Sequence, residues 1–452
     1  MPVHAGDSSD SKQFDILLAM VGLLLLLASF AAGAERQITS SPISKALDNN
    51  DNFSPDGKYV VYDTRDTDGV GLGASTRIMK VELASGKESV VYRPEAPGVA
   101  AVSWSPIANE VLFIHGPLIS EIERLGPYAQ TNRRGAVVAA DGSGKVRFVD
   151  CRDVSSAVTP AGAHRGGTHR HDYSADGKRI GFTYDDHLLR TYGRNIGMLI
   201  PRGDAPCGVS HYFAVLLKVV PRADAKAGDF VRAEDDSWIG AKGLMRGFIG
   251  TVSDGKGGAS TSLFVVDVPE SVDFTTAQAG TASQYPQPPK GLTVRVLARK
   301  VSPGVVRGSL DGTRVAYYAP DANGVRQVFL INARGTSEPV QATFLPAGAT
   351  AGLRWHPSGD SIAVLSENGV AVTCVKPGPL FGKTVWLTQH GAAAAPAEGL
   401  VWSPDGKRLA FNRRIAGPTK DAAGKDFRQV FLTDFPDKNN NGIADDIETG
   451  SH

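Results

Sequence analysis

Six stretches of the chain share one order of polar and apolar positions: a bulky, mostly aromatic residue, a Ser-Pro-Asp-Gly-Lys-like polar turn, then an apolar run of strand length. They are NFSPDGKYVVY (Asn52–Tyr62), SWSPIANEVLF (Ser103–Phe113), DYSADGKRIGF (Asp172–Phe182), GSLDGTRVAYY (Gly308–Tyr318), RWHPSGDSIAV (Arg354–Val364) and VWSPDGKRLAF (Val401–Phe411). Pro presets φ for the second turn position, Asp bonds back to the backbone, and Gly accepts the positive φ that closes the reversal. Each stretch therefore predicts a tight hairpin. The residue before the serine position is aromatic in five of the six, Phe53, Trp104, Tyr173, Trp355 and Trp402. A bulky ring at one fixed place in each sheet suits sheets that pack face to face.

Recurrence of one hairpin unit at a spacing of several tens of residues predicts an all-β fold, a β-propeller of WD40-like four-stranded blades. The interval from Phe182 to Gly308 is too long for one blade and holds the strand-like runs HYFAVLLKVV (His211–Val220) and SLFVVDV (Ser262–Val268), read as one degenerate blade. The count is then seven, with six or eight as the alternatives if a motif-free blade is miscounted. QVFLTDF (Gln429–Phe435) ends the last blade, and RQIT (Arg36–Thr39) resembles the outermost-strand segment VWLT (Val385–Thr388). An N-terminal strand is thus expected to complete the last blade and close the ring, leaving no free edge at the seam.

Composition changes this picture little. A formal charge of +1 on 452 residues gives no reason to expect nucleic acid or an anionic membrane surface as a partner. Residues 1–34 carry an uninterrupted apolar run, Ile16–Phe30, followed by the small-x-small pattern Ala32-Gly33-Ala34. This predicts a signal peptide; the acidic flank (Asp7, Asp10, Asp15) and the length of the apolar stretch leave a retained membrane anchor as the alternative. Either places the propeller, residues 35–435, in the periplasm or outside the cell. The three cysteines, Cys151, Cys207 and Cys374, form no metal motif, and a disulfide between two of them is open.

The tail, residues 436–452, carries a second motif. Asp437, Asn439, Asn441, Gly442, Asp445 and Glu448 fit D-x-[DN]-x-[DN]-G-x5-E, with the Ile443 carbonyl as backbone ligand. Oxygen donors at those loop positions suit a hard cation, so calcium is the expected cofactor, in a structural role; the alternative is a solvated tail. The loop resembles the calcium repeats of thrombospondin type 3 and of bacterial extracellular proteins, and no helix of useful length is expected after Glu448.

A histidine cluster in the third blade is the third candidate: His164, His169 and His171 before the turn and His187 after the second strand, with Asp186 adjacent. On an extended strand residues two apart share a face, so His169 and His171 are expected on the same side. Imidazole with carboxylate suits zinc, manganese or iron. The competing reading is structural or ligand-contacting histidine at the channel mouth. His356, in the serine position of a turn, reads as structural.

These residues carry a family resemblance. The repeats resemble those of the TolB propeller family, and FIHGP (Phe113–Pro117), RRGAVV (Arg133–Val138), TPAGAHRGGTHRHDYSADGKRIGFTYDDH (Thr159–His187) and RWHPSGD (Arg354–Asp360) resemble a YidR-type bacterial family of TolB-like propellers with a domain of unknown function. That resemblance implies the fold and no activity. Together with the leader it suggests an exported binding or scaffold module for a protein, peptide or glycan at the channel mouth. The enzymatic alternative is a metal-dependent carbohydrate-active enzyme similar to oligogalacturonate lyases, TolB-like propellers whose catalytic metal is held by propeller histidines. Arg133, Arg134, Arg165 and Arg170 would then neutralise the sugar carboxylate. No G-x-S-x-G elbow or phosphate-binding glycine loop is present.

Overall fold

The computed structural model describes Met1 and residues 35–47, 49–65, 73, 75–155, 157–421 and 424–450; the expected leader lies outside the described residues. Seven four-stranded antiparallel sheets form the blades of a propeller. From the axis outward they are Lys45–Ala46, Tyr59–Thr64, Ile78–Glu82 and Glu88–Tyr92 in blade one, and Val99–Trp104, Glu110–His115, Arg134–Ala139 and Arg147–Phe148 in blade two. Blade three has Gly167–Tyr173, Ile180–Asp185, Asn195–Pro201 and His211–Val215; blade four has Phe230–Ile239, Met245–Ser253, Ala259–Asp267 and Thr293–Ala298. Blade five has Arg307–Gly308, Arg314–Pro320, Arg326–Asn332 and Val340–Gln341; blade six has Ala351–Trp355, Ser361–Ser366, Gly369–Cys374 and Thr384–Trp386. Blade seven has Ala397–Trp402, Arg408–Ile415 and Phe427–Asp434, and its outer strand is the N-terminal Arg36–Gln37, as the sequence predicts.

The turn motif performs the same task in blades one, three, five and seven. Ser54, Ser174, Ser309 and Ser403 each accept the backbone N–H of the turn glycine on the carbonyl and hold the turn aspartate with the hydroxyl at 2.5–2.6 Å. His356 substitutes for serine, with Nδ1 at 2.8 Å from Ser358 Oγ and Nε2 at 3.1 Å from the Gly406 carbonyl of the next blade, the structural role expected. In blades three, five and seven an arginine just after the turn ties the blade to the next. Arg179 reaches the Gly243 carbonyl, Arg314 that of Gly359, and Arg408 that of Gly57 across the seam.

One sequence expectation needs correction here. His211–Val215 is the outer strand of blade three, not part of a degenerate blade; the fourth blade begins instead at Phe230. Its aromatic is Trp238, which goes unrecognised because Ile239-Gly240-Ala241 replaces the serine, proline and aspartate that make the other turns legible. The tail packs onto blades six and seven, in contrast to the alternative of a solvated tail. A short helix, α1 (Asp445–Thr449), begins inside the loop and includes Glu448, and Ile443, Ala444 and Ile447 are buried in one cluster with Trp402, Phe435 and Cys374. Ser361 of blade six also donates to the Gly442 carbonyl at 2.6 Å.

Candidate functional site

A device absent from the sequence motif shapes the axis. In five blades the innermost strand carries a bulge centred on a residue of positive φ, three positions before the aromatic: Ala101 (53°), Arg170 (62°), Asp235 (55°), Gly352 (72°) and Gly399 (53°). An extra residue in one strand shifts the alternation of faces. In blade three His169 pairs with Thr183 and Asp172 with Gly181, three steps against two. His169 and Asp172 therefore share a face and His171 points to the other, which corrects the expectation that His169 and His171 lie side by side.

The candidate histidines separate accordingly. His169 faces Thr183, Nδ1 to Oγ1 3.3 Å, and burial together with the Arg133, Arg194 and Arg170 charges holds its pKa well below the usual imidazole value. His171 is fully buried against Phe182, and burial pushes its pKa down to about 4. His164 is buried against Phe213 and Tyr184, its Nε2 3.4 Å from Asp150 Oδ2. Burial alone would raise the Asp150 pKa, yet contact with His164, the charge of His171 and the Thr168 hydroxyl hold it at about 2. His187 sits 3.3 Å from Thr131 Oγ1, away from these. Asp186 is occupied by the Tyr184 hydroxyl and the Leu188 and Leu189 amides, all at 2.8 Å. Among the described residues no three His, Cys, Asp or Glu side chains stand together as a metal-binding group.

The arginines of the same region divide by role. Arg165 is buried on Thr159, and Arg134 stacks on Phe148 and pairs with Glu121. Arg133 donates to Tyr128 and lies 3.9 Å from Asp185, which also takes a bidentate contact from Arg194. Cys151, next to Asp150, is joined to Cys207 in a disulfide, and Cys374 is free and buried.

At the waist of the ring the channel is spanned by Asn49. Its amide donates to the carbonyls of Ala101 (2.9 Å) and His171 (2.6 Å), while Arg354, from the far side, donates to its carbonyl. Below this plug, toward the turn face, lies a cavity of about 510 Å3. Its wall is the repeated aromatics Phe53, Trp104, Tyr173, Trp238, Trp355 and Trp402, and its rim is Pro55, Pro106, Pro357, Pro404 and Leu310. Its inner end is polar, made by Asn50, Asp51, Asp172, Arg307 and Arg354. The size and the mostly apolar wall with a few convergent polar groups are those of a ligand site. The aromatic positions were legible as packing residues; that their inner edges ring a cavity depends on the radial arrangement, which one unit of sequence does not carry.

Charge at the inner end is unevenly satisfied. Asp172 is paired with Arg246 at 2.8 Å. Asp51 is open to the cavity though walled in by protein, and burial plus the nearby Asp172 raise its pKa to about 6. Arg307 and Arg354 pair with backbone carbonyls, of Leu353 for both and of Asn49 for Arg354, and with no carboxylate. Arg307 Nη2 and Arg354 Nε are buried without hydrogen-bond partners. Desolvation and the mutual repulsion of Arg307, Arg354 and the neighbouring Arg170 push the Arg307 pKa well below its usual value.

Comparison with known proteins agrees with this architecture. The family model "Protein of unknown function (DUF3748)" matches residues 98–211, which span blades two and three. An oligogalacturonate lyase from Vibrio parahaemolyticus shares the fold at 12% identity, covering 90% of this chain and 95% of that one with a TM-score of 0.54. TolB from Acinetobacter baumannii matches at 12% identity over 84% of this chain and 80% of its own, TM-score 0.39. The uncharacterised protein YidR of Escherichia coli (strain K12) is 31% identical over 409 residues, 84% of this chain and 94% of YidR. The chain belongs to the same family as YidR.

Proposed function

We propose that the chain is an exported binding propeller whose ligand enters the axial cavity on the turn face. The observation that carries this is the cavity itself: a space of about 510 Å3, ringed by six aromatics and floored by two arginines that no carboxylate pairs. Peptide and glycan are both ligands of the right kind for an aromatic wall with a polar end. Export rests on the apolar leader and gains support from the Cys151–Cys207 disulfide, since such bonds persist in oxidising compartments. Ala175 is exposed at the cavity mouth. Ala175→Trp should fill the mouth without touching the core, so on peptide and glycan arrays it should bind at least tenfold more weakly than the wild type at an unchanged melting temperature. Equal binding by both proteins would remove the cavity from the function.

The lyase reading ranks second. It is supported by the fold shared with oligogalacturonate lyases and by the abundance of imidazole in blade three. It asks for convergence that the bulge at Arg170 works against, because His169 and His171 leave the strand on opposite faces.

Calcium is proposed for the tail loop on the strength of its oxygen donors. Asp437 accepts the Asn441 and Gly442 backbone amides, and the two Glu448 oxygens accept from the side-chain amides of Asn439 and Asn441. With Asp445 and the Ile443 carbonyl these would hold the ion. It would neutralise the acids and pin the tail to blades six and seven. Added calcium should raise the melting temperature of the metal-free protein by a few degrees, consistent with about 2.7 kcal/mol at a hundredfold excess over Kd. The rise should vanish in Glu448→Gln.

A further inference from the structure

We propose that the ligand of the axial cavity is the free C-terminus of a polypeptide, entering end-on, with its terminal carboxylate seated between Arg307 and Arg354. The inference rests on the binding function proposed above and narrows it to one chemical class.

Three features of the cavity select this class. The first is its closed inner end. Asn49, bonded to blades two and three and held by Arg354 of blade six, spans the axis, so a chain cannot thread through the ring and only a terminus reaches the floor. The second is the charge at that floor. Arg307 is about nine-tenths buried, with Nη2 unpartnered, and Arg354 keeps an unpartnered Nε. Neither is within ion-pair distance of a carboxylate: Asp172 is paired with Arg246, and Asp51 and Asp172 act on Arg354 and Arg307 only through longer-range attraction. Buried guanidinium with no directly paired carboxylate is costly, and a ligand carboxylate relieves it by charge-assisted hydrogen bonds.

The third feature is the wall. Between floor and mouth it offers aromatic edges, prolines and Leu310, its free polar groups are the indole N–H donors of Trp104 and Trp402, and its hydroxyls are already committed to the turns. Ser174, Ser309 and Ser403 each hold an aspartate, and Ser105 accepts the Ile107 and Ala108 amides. An acidic sugar presents hydroxyls on every side and would leave most of them unpaired against such a wall. A peptide with apolar last residues concentrates its charge at one end and presents carbon to the sides. Capture of a chain terminus by its carboxylate is an established mode of peptide recognition.

The test uses the full mature protein and fluorescein-labelled hexapeptide pools randomised over apolar residues at the last three positions, made once with a free carboxyl and once with a C-terminal amide. Fluorescence anisotropy should show the free-acid pool binding at least tenfold more tightly than the amide pool, and oligogalacturonate should not compete. Arg307→Gln and Arg354→Gln should each erase the preference for the free acid. Because Arg354 also supports Asn49, the acid-against-amide comparison on the unaltered protein keeps the test independent of any loss of folding. Equal binding of the two pools, or binding to neither, overturns the inference. If oligogalacturonate instead binds and Ala175→Trp blocks it, the terminus is the wrong ligand while the cavity remains the binding site.

Discussion

Replacing Arg246 with alanine will destabilise the folded chain by about 3 to 5 kcal/mol, the range for removing one partner of a buried ion pair. Arg246 is 1% exposed, donates to Asp172 at 2.8 Å and to Asp236 at 2.5 Å, and lies over the Trp238 ring at 4.5 Å. Its removal leaves two buried carboxylates between blades three and four with no cation to answer them. A specific consequence separates this cause from lost packing: the variant should regain part of its stability as pH falls, because protonating Asp172 or Asp236 removes the unpaired charge. Gly181→Ala should act in the same direction. A Cβ there would stand 1.8 Å from Arg246 Nη1, so the guanidinium must leave its place. Urea denaturation across pH measures both; a loss below 1 kcal/mol in Arg246→Ala would show that the pair contributes little.

Acid will weaken the protein well above the pH at which surface carboxylates titrate. His171 and His211 are held neutral by burial, each with its pKa lowered from 6.5 to about 4, and His169 is held low by burial and three arginines. A group with a depressed imidazole pKa takes up its proton in the unfolded chain first. Stability is therefore complete above pH 6.5 and falls as pH drops toward 4, by about 3 kcal/mol for His171 alone. Asp51 works the other way. Its raised pKa, about 6, means that acidification from that value to the ordinary carboxylate range relieves strain in the fold. Asp150, held at about 2, keeps its contribution throughout that interval. His115, His187 and His356 are also held low, and Asp63, Asp172 and Asp235 are raised as Asp51 is. Six imidazoles against four carboxylates predict a net loss, with a flatter profile in His171→Asn. Unchanged urea midpoints between pH 7 and pH 4.5 would contradict this.

Fold and site were legible to different depths. The blades could be read because Ser54, Ser174, Ser309 and Ser403 each solve the same local problem with the same residues, and local chemistry leaves a local signature. Trp238 escaped because the turn that follows it uses other residues, although the aromatic itself was in place. The pairing of Arg36–Gln37 with the last blade was legible because a propeller must close its seam. The bulges were not. A positive φ at Arg170 or Asp235 has no marker in a sequence where glycine serves at Gly352 and Gly399, and one inserted residue was enough to turn His171 away from His169. The cavity was hidden for a different reason: it belongs to no single unit, and arises only where six units point their rings at one axis.

The five tryptophans offer the most direct measurement of where a ligand sits. Trp104, Trp238, Trp355 and Trp402 line the cavity, and Trp386 lies on the outer strand of blade six, stacked on His390 at 4.0 Å. In protein labelled with fluorotryptophan, saturation with the free-acid peptide pool or with a ligand found on the arrays should shift the fluorine resonances of the four cavity tryptophans and leave Trp386 in place. Binding that moves Trp386 alone, or none of the five, would put the ligand elsewhere and contradict an axial site.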